Sequence, residues 1–172
     1  NTPITAPTLT SASYCVGSTA NNLDATTAGA LGYLWTGGAT TATLTPSTAS
    51  AGTTTYTVTV SAPTGCTAAT ATATVIIYDP IVAPTLSGAT YCVGSTATAL
   101  NATTAGATGY LWSDGSTNAT LTPSTVAAGS TTYTVTVTAP TGCTNVTASA
   151  TIVVNTPITA PTLTSASYCV GS

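Results

Sequence analysis

Five cysteines, Cys15, Cys66, Cys92, Cys143 and Cys169, are the residues of this chain best equipped for covalent chemistry. They lack the company that catalysis needs. The chain has no Lys, no Arg, no His and only three acids. No positioned base is therefore at hand to activate a thiol or any of the many Ser and Thr hydroxyls. The acids, Asp24, Asp79 and Asp114, form no paired set in the sequence. A metal centre is not expected either, because there is no His and no Cys-x-x-Cys spacing. These residue types point away from an enzyme and from any cofactor, and toward disulfides.

The composition excludes other classes. Without a basic side chain, the phosphate-backbone attraction behind most nucleic-acid affinity is absent. A basic amphipathic membrane helix is excluded for the same reason. No apolar run approaches the roughly 18–20 residues needed to span a bilayer, so membrane insertion is not expected. The 47 threonines supply a solvated surface in place of charge.

The elements that must position the cysteines are legible as repeats. Residues 1–77 align with 78–154 without gaps, with 53 of 77 positions identical, and residues 155–172 repeat 1–18. The sequence therefore reads as a window on a longer tandem array: module 1 at 1–77, module 2 at 78–154, and the first strand of a further module at 155–172. The most regular stretch is Thr53-Thr-Thr-Tyr-Thr-Val-Thr-Val-Ser-Ala-Pro-Thr-Gly-Cys66, copied as far as Cys143. Its strict alternation of β-branched residues predicts a half-buried strand, with Tyr56, Val58 and Val60 on the inner face. That face needs an opposing sheet, and modules of this size with frequent turn signals fit all-β, immunoglobulin-like sandwiches of about seven strands.

Further strands are expected at residues 4–12 (an edge, because of Pro7), 19–27, 32–35, 40–44 and 69–77. Thr36-Gly-Gly and its copy Ser113-Asp-Gly read as hairpin turns. The predicted core is Leu23, Trp35, Leu44, Tyr56, Val58 and Val60, with Leu100, Trp112, Leu121, Tyr133, Val135 and Val137 in the second copy. No stretch has helical periodicity. The junctions, Tyr78-Asp-Pro-Ile-Val-Ala-Pro84 and Asn155-Thr-Pro-Ile-Thr-Ala-Pro161, are short, extended and semi-rigid.

Each full module carries one cysteine near its start and one after the long strand. Pairing within modules gives Cys15–Cys66 and Cys92–Cys143 and leaves Cys169 to a partner beyond residue 172. Pairing between neighbours gives Cys66–Cys92 and Cys143–Cys169 and leaves Cys15. The within-module pairing is the one expected here, each bridge closing a loop of about 50 residues for roughly 4 kcal/mol. Either pairing implies an oxidising, extracellular setting.

Other motifs have plainer readings than their sharpest ones. Trp35 and Trp112, beside Tyr33 and Tyr110, resemble a sugar-stacking platform but fit a buried sandwich core better, and Tyr56 and Tyr133 fit the tyrosine that pins such a core. The counterparts of Asp24, Asp79 and Asp114 one period away are Asn101, Thr156 and Gly37, so no acid recurs to make a calcium site at each junction. Asn101-Ala-Thr, Asn118-Ala-Thr and Asn145-Val-Thr match the N-glycosylation pattern, which arises readily in so Thr-rich a chain. Rows such as Thr55, Thr57 and Thr59 could order ice only on a flat lattice, whereas sandwich sheets twist.

The pattern Tyr14-Cys-Val-Gly-Ser, Leu23, Tyr33-Leu-Trp35, Thr55-Tyr-Thr-Val-Thr-Val60 and Gly65-Cys66 resembles the immunoglobulin-like repeats of giant Bacteroidota surface proteins, including gliding-motility adhesins exported by the type IX secretion system. The resemblance implies extracellular modules that extend an adhesive tip or form a filament shaft. The expectation is thus a structural shaft segment whose partners are neighbouring copies of the same module and, laterally, other shafts. A carbohydrate-binding array and a surface-layer or sheath subunit are the alternatives.

Overall fold

The computed structural model describes residues 3–167, and no helix occurs among them. The first set of strands is β1 (Ala12–Cys15), β2 (Leu23–Asp24), β3 (Gly32–Trp35), β4 (Thr43–Leu44), β5 (Gly52–Ser61) and β6 (Ala69–Tyr78). The second repeats it as β7 (Ala89–Cys92), β8 (Leu100–Asn101), β9 (Gly109–Trp112), β10 (Thr120–Leu121), β11 (Gly129–Thr138) and β12 (Val146–Asn155).

The alternating stretch forms β5, which pairs antiparallel with β6 on one side and β3 on the other. β1 adds to the far edge of β6 in parallel, giving the order β1-β6-β5-β3, and β2 and β4 pair as a small second sheet. β7 to β12 repeat both sheets. Register explains how the core closes. Val58 lies opposite Trp35 on one strand and Ala71 on the other, so a small residue stands across from the valine that flanks the indole. Val58, Val60 and Val75 are fully buried, as are Val135, Val137 and Ile152. Each such side chain contributes about 1.5–3 kcal/mol. Of the positions expected inward, Leu23, Trp35, Val58, Val60, Leu100, Trp112, Leu121, Tyr133, Val135 and Val137 are buried, while Leu44 and Tyr56 are half-buried.

Three expectations fail locally. Residues 4–11 form no strand: prolines at 3 and 7 donate no backbone hydrogen bond, and the Ser11 hydroxyl takes the Thr74 N–H at 3.0 Å in place of a ladder carbonyl. Ile4 and Leu9 nonetheless pack on the core. The strand expected over 19–27 shrinks to β2, because the Asp24 carboxylate accepts from Thr26 N at 2.8 Å and bends the chain. The turns after Trp35 and Trp112 form, closed by Gly38 N to Trp35 O and Gly115 N to Trp112 O, each 2.9 Å. They are not hairpins, since β3 pairs with β5 and β4 with β2, so each turn carries the chain from one sheet to the other. Each set therefore has six strands, not seven.

Candidate functional site: the joint between the two sandwiches

β6 carries the chain from one pole of the first sandwich to the other, roughly 30 Å for ten strand residues. β1 runs parallel to it and brings Cys15 level with Tyr78, at the exit pole. Cys66 lies in the β5–β6 turn, at the opposite pole, where the Cys66 N–H closes onto Pro63 O at 2.9 Å. The expected Cys15–Cys66 bridge is therefore ruled out by the length of the strand between them. The same geometry separates Cys92, level with Asn155, from Cys143.

The observed bridge is Cys15–Cys143, joining the two sandwiches across 128 positions with a Cα–Cα distance of 4.8 Å. This corrects both expected within-module bridges, and it is also not the Cys66–Cys92 alternative. Cys169, with its expected partner beyond residue 172, lies outside the described residues.

The second sandwich presents its β11–β12 turn to the exit pole of the first. Cys143 N donates to Pro140 O at 2.9 Å, and Gly142 takes φ +92°, the backbone that a side chain disfavours at the third position of such a turn. Gly142 is needed twice over. A Cβ there would lie 2.7 Å from Ser13 O and 2.7 Å from Tyr14 Cα of β1, too close for any side chain. Cys143 Sγ sits 3.8 Å from Tyr78 O and 3.7 Å from Asp79 O, where the chain leaves β6 for the second sandwich. Two residues on, Ile81 is buried in the second core, so the connector is anchored at both ends.

The turn is also braced from behind. Asn145 Oδ1 accepts from Ala139 N at 2.9 Å, and the Thr108 hydroxyl reaches Thr138 O and Ala139 O at 3.2 Å each. The first module has Ala68 and Leu31 at those places, so these braces are specific to the second. Ala139 and Pro140 are buried, whereas Ala62 and Pro63 are half-buried. Placing alanine at Gly142 adds both a left-handed backbone penalty and a backbone collision. The Gly142→Ala variant is expected to weaken the joint by about 2 kcal/mol. In a fixed glutathione redox buffer, the bridged-to-reduced ratio of Cys15 and Cys143, read by alkylation and mass, should then fall roughly 30-fold. An unchanged ratio would show that the turn is not seated on β1.

The remaining candidates disperse. Trp35 and Trp112 are each 2% exposed, and their indole N–H groups donate inward to Thr41 O at 2.8 Å and Asn118 O at 2.9 Å. This removes the sugar-stacking platform. Tyrosines pin loops, and they do so beyond the two positions, Tyr56 and Tyr133, expected to pin the core. Tyr14, Tyr33, Tyr91, Tyr110 and Tyr133 accept from the backbone N–H groups of Asn21, Thr27, Thr98, Thr104 and Ser124. No group of three or more potential metal ligands occurs among the described residues. The sequon asparagines Asn101, Asn118 and Asn145 are exposed. Thr55 is exposed, but Thr57 and Thr59 are half-buried, so that row is not a uniform solvent face.

Two carboxylates are shifted. Hydrogen bonds from the Thr26 hydroxyl and N–H hold Asp24 below its usual value, and the Ser116 N–H and hydroxyl do the same for Asp114. A carboxylate lowered by folding stabilises the fold at every pH above its unfolded value, and loses that contribution as pH falls through its folded value. Their effect is thus confined below about pH 4. With no histidine in the chain, the melting temperature should stay within a few degrees between about pH 5 and about pH 8. A titration of the full chain followed by calorimetry checks this; a larger shift would reveal a buried charge or a bound ion.

No protein-family profile matches the chain, and no curated protein matches it. Solved structures do. Sidekick-1 immunoglobulin domains 1–4 align with a TM-score of 0.57 at 17% identity, over 88% of this chain and 48% of that one. A mutated three-domain immunoglobulin segment of titin gives 0.59 at 12% identity, over 90% of this chain and 66% of that one. Extracellular domains 3–5 of Drosophila OTK give 0.56 at 15%, over 86% and 60%. The chain spans about half the length of the first of these. At such identities the likeness establishes the fold: tandem immunoglobulin-like β-sandwiches.

Proposed function

We propose that this chain is a structural shaft segment of a long extracellular adhesin or cell-surface filament, built of modules at 1–77 and 78–154 with a further one opening at 155. The observation that carries the reading is the Cys15–Cys143 bridge, which spends the chain's reactive chemistry on fixing one sandwich to the next. The tryptophans support it, because Trp35 and Trp112, the rings that could form a ligand platform, are turned into the two cores. A disulfide at this half-buried joint is kept in an oxidising compartment, which favours a location outside the cell. The finer assignment, to repeats of the type IX-secreted Bacteroidota adhesin kind, rests on the Tyr14-Cys-Val-Gly-Ser and Gly65-Cys66 motifs.

A second reading, a surface-layer or sheath subunit, is favoured by one feature. Leu34 and Leu111 are 55% and 54% exposed, one module apart, on the edge strands β3 and β9. Such a row suits lateral contact between shafts.

Immunogold labelling of producing cells with antibodies to the folded chain separates the two. The shaft reading expects label along thin filaments with a rise of roughly 30–45 Å per module. A two-dimensional lattice would favour the sheath, and label confined to the cell interior would overturn both.

A further inference from the structure

The pole that receives Cys143 is built twice in this chain, and only the first copy is occupied by a described residue. At the first pole Cys15 lies level with Tyr78, Val16 N donates to Tyr78 O at 2.9 Å, Gly17 N to Thr48 O at 2.9 Å, and the Ser18 hydroxyl to Cys15 O at 2.8 Å. At the second, Cys92 lies level with Asn155, Val93 N donates to Asn155 O at 2.9 Å, Gly94 N to Thr125 O at 2.9 Å, and the Ser95 hydroxyl to Cys92 O at 2.7 Å. Gly17 and Gly94 share φ +79°. The Cys92 thiol is exposed and unbonded. The complementary part is also present twice, since Pro63-Thr-Gly-Cys66 and Pro140-Thr-Gly-Cys143 are the same turn. The connector recurs as well: Asn155-Thr-Pro-Ile leaves the second pole as Tyr78-Asp-Pro-Ile leaves the first.

We propose that Cys92 is a docking and cross-linking site for the Pro-Thr-Gly-Cys turn of a following module, so that every joint of the array carries a bridge from the first cysteine of one module to the second cysteine of the next. The inference rests on the shaft reading only in taking a further module as the occupant. The chemistry is thiol–disulfide exchange with a low-molecular-weight disulfide. The Cys92 thiolate attacks that disulfide and expels one small thiol. The incoming cysteine thiolate then attacks Cys92 Sγ in the mixed disulfide and expels the second. Two protein thiols become one disulfide, and the small disulfide becomes two thiols. The glycine before the incoming cysteine is what lets its turn lie on the β7 backbone, as Gly142 lies on β1.

The test extends the full 172-residue chain by a copy of residues 19–154, completing the third and fourth modules, with Thr67→Ser and Thr144→Ser made in the copied segment only, at exposed positions, so that its Gly-Cys peptides differ in mass from the originals. The protein is refolded in oxidised and reduced glutathione, alkylated, digested with pepsin because trypsin finds no Lys or Arg, and mapped without reduction. Molecules that retain Cys15–Cys143 serve as the folded population. The expected result is Cys92 linked to the Gly-Cys peptide of the third module in at least ten times the amount of any other Cys92 pairing. The Cys92→Ser variant should then leave that third-module cysteine alkylatable while Cys15–Cys143 persists. Cys92 remaining alkylatable in the folded population, or linked to Cys66, overturns the proposal. Failure to label filaments on cells would strike the shaft reading and leave this linkage standing.

Discussion

Breaking the Cys15–Cys143 bridge, by reduction or by Cys15→Ser, will lower the melting temperature of the chain by roughly 10–20 °C. The bridge closes a loop of 128 positions, and confining a loop of that size in the unfolded chain is worth about 5 kcal/mol. For a protein of this length each kcal/mol moves the melting temperature by about 2–4 °C. The Cys143→Ser variant should match Cys15→Ser, and combining the two should add nothing, because both remove one bond. Cys92→Ser should leave the melting temperature of the 172-residue chain unchanged, since Cys92 holds no bridge there. Scanning calorimetry with and without reductant decides it. If Cys92→Ser destabilised as much as Cys15→Ser, the within-module pairing would be restored.

Truncating Trp112 to alanine will cost the second sandwich about 3–5 kcal/mol, from lost burial plus the cavity left behind. The ring is 2% exposed and packs with Val135, Val137 and Ile152, and its N–H satisfies Asn118 O at 2.9 Å. Trp112→Phe keeps much of the packing and should cost less. The variant is informative because each sandwich holds one tryptophan. In Trp112→Ala the tryptophan emission comes from Trp35 alone, so excitation selective for tryptophan over the eight tyrosines reports the first sandwich while circular dichroism reports both. The second sandwich should unfold at lower denaturant than the Trp35 signal. Coincident transitions would mean that the bridged joint couples the two cores into one unit. In the unaltered chain both indoles should resist acrylamide quenching, and a readily quenched indole would reopen the sugar-platform reading.

Much of this architecture could be read from the chain. Period-two alternation in Gly52–Ser61 and Ala69–Tyr78 is a local signal, and the two long strands with their inward Val58, Val60 and Val75 follow from it. The 77-residue repeat then copied that reading to the second sandwich. The short strands are harder to read, because β2 and β4 have only two laddered residues each, too few for alternation to show, and β2 is cut short by the hydrogen bond from Thr26 N to Asp24. The joint is illegible in the sequence for a different reason. Counting places Cys15 and Cys66 in one module, but it does not say that β1 runs parallel to β6 and carries Cys15 to the exit pole. The Gly before Cys143 was legible as a turn residue, and its second duty, close approach to β1, depends on a neighbouring module that no local pattern encodes.

The position of the bridge also decides where tension runs. A chain pulled at residues 3 and 167 transmits force along residues 3–15, across the sulfur atoms and on through 143–167. The 127 residues between the two cysteines, one fewer than the separation of 128, lie off that path. Most of 143–155 is already drawn out as β12, so little slack remains in the loaded route. Either sandwich could lose its fold under tow without the tether lengthening appreciably. Cutting the bridge would release a hidden contour of roughly 430 Å at about 3.4 Å per residue. The same sulfur pair that sets stability at rest therefore sets a stop on extension, and a reductant converts an inextensible strut into an elastic one.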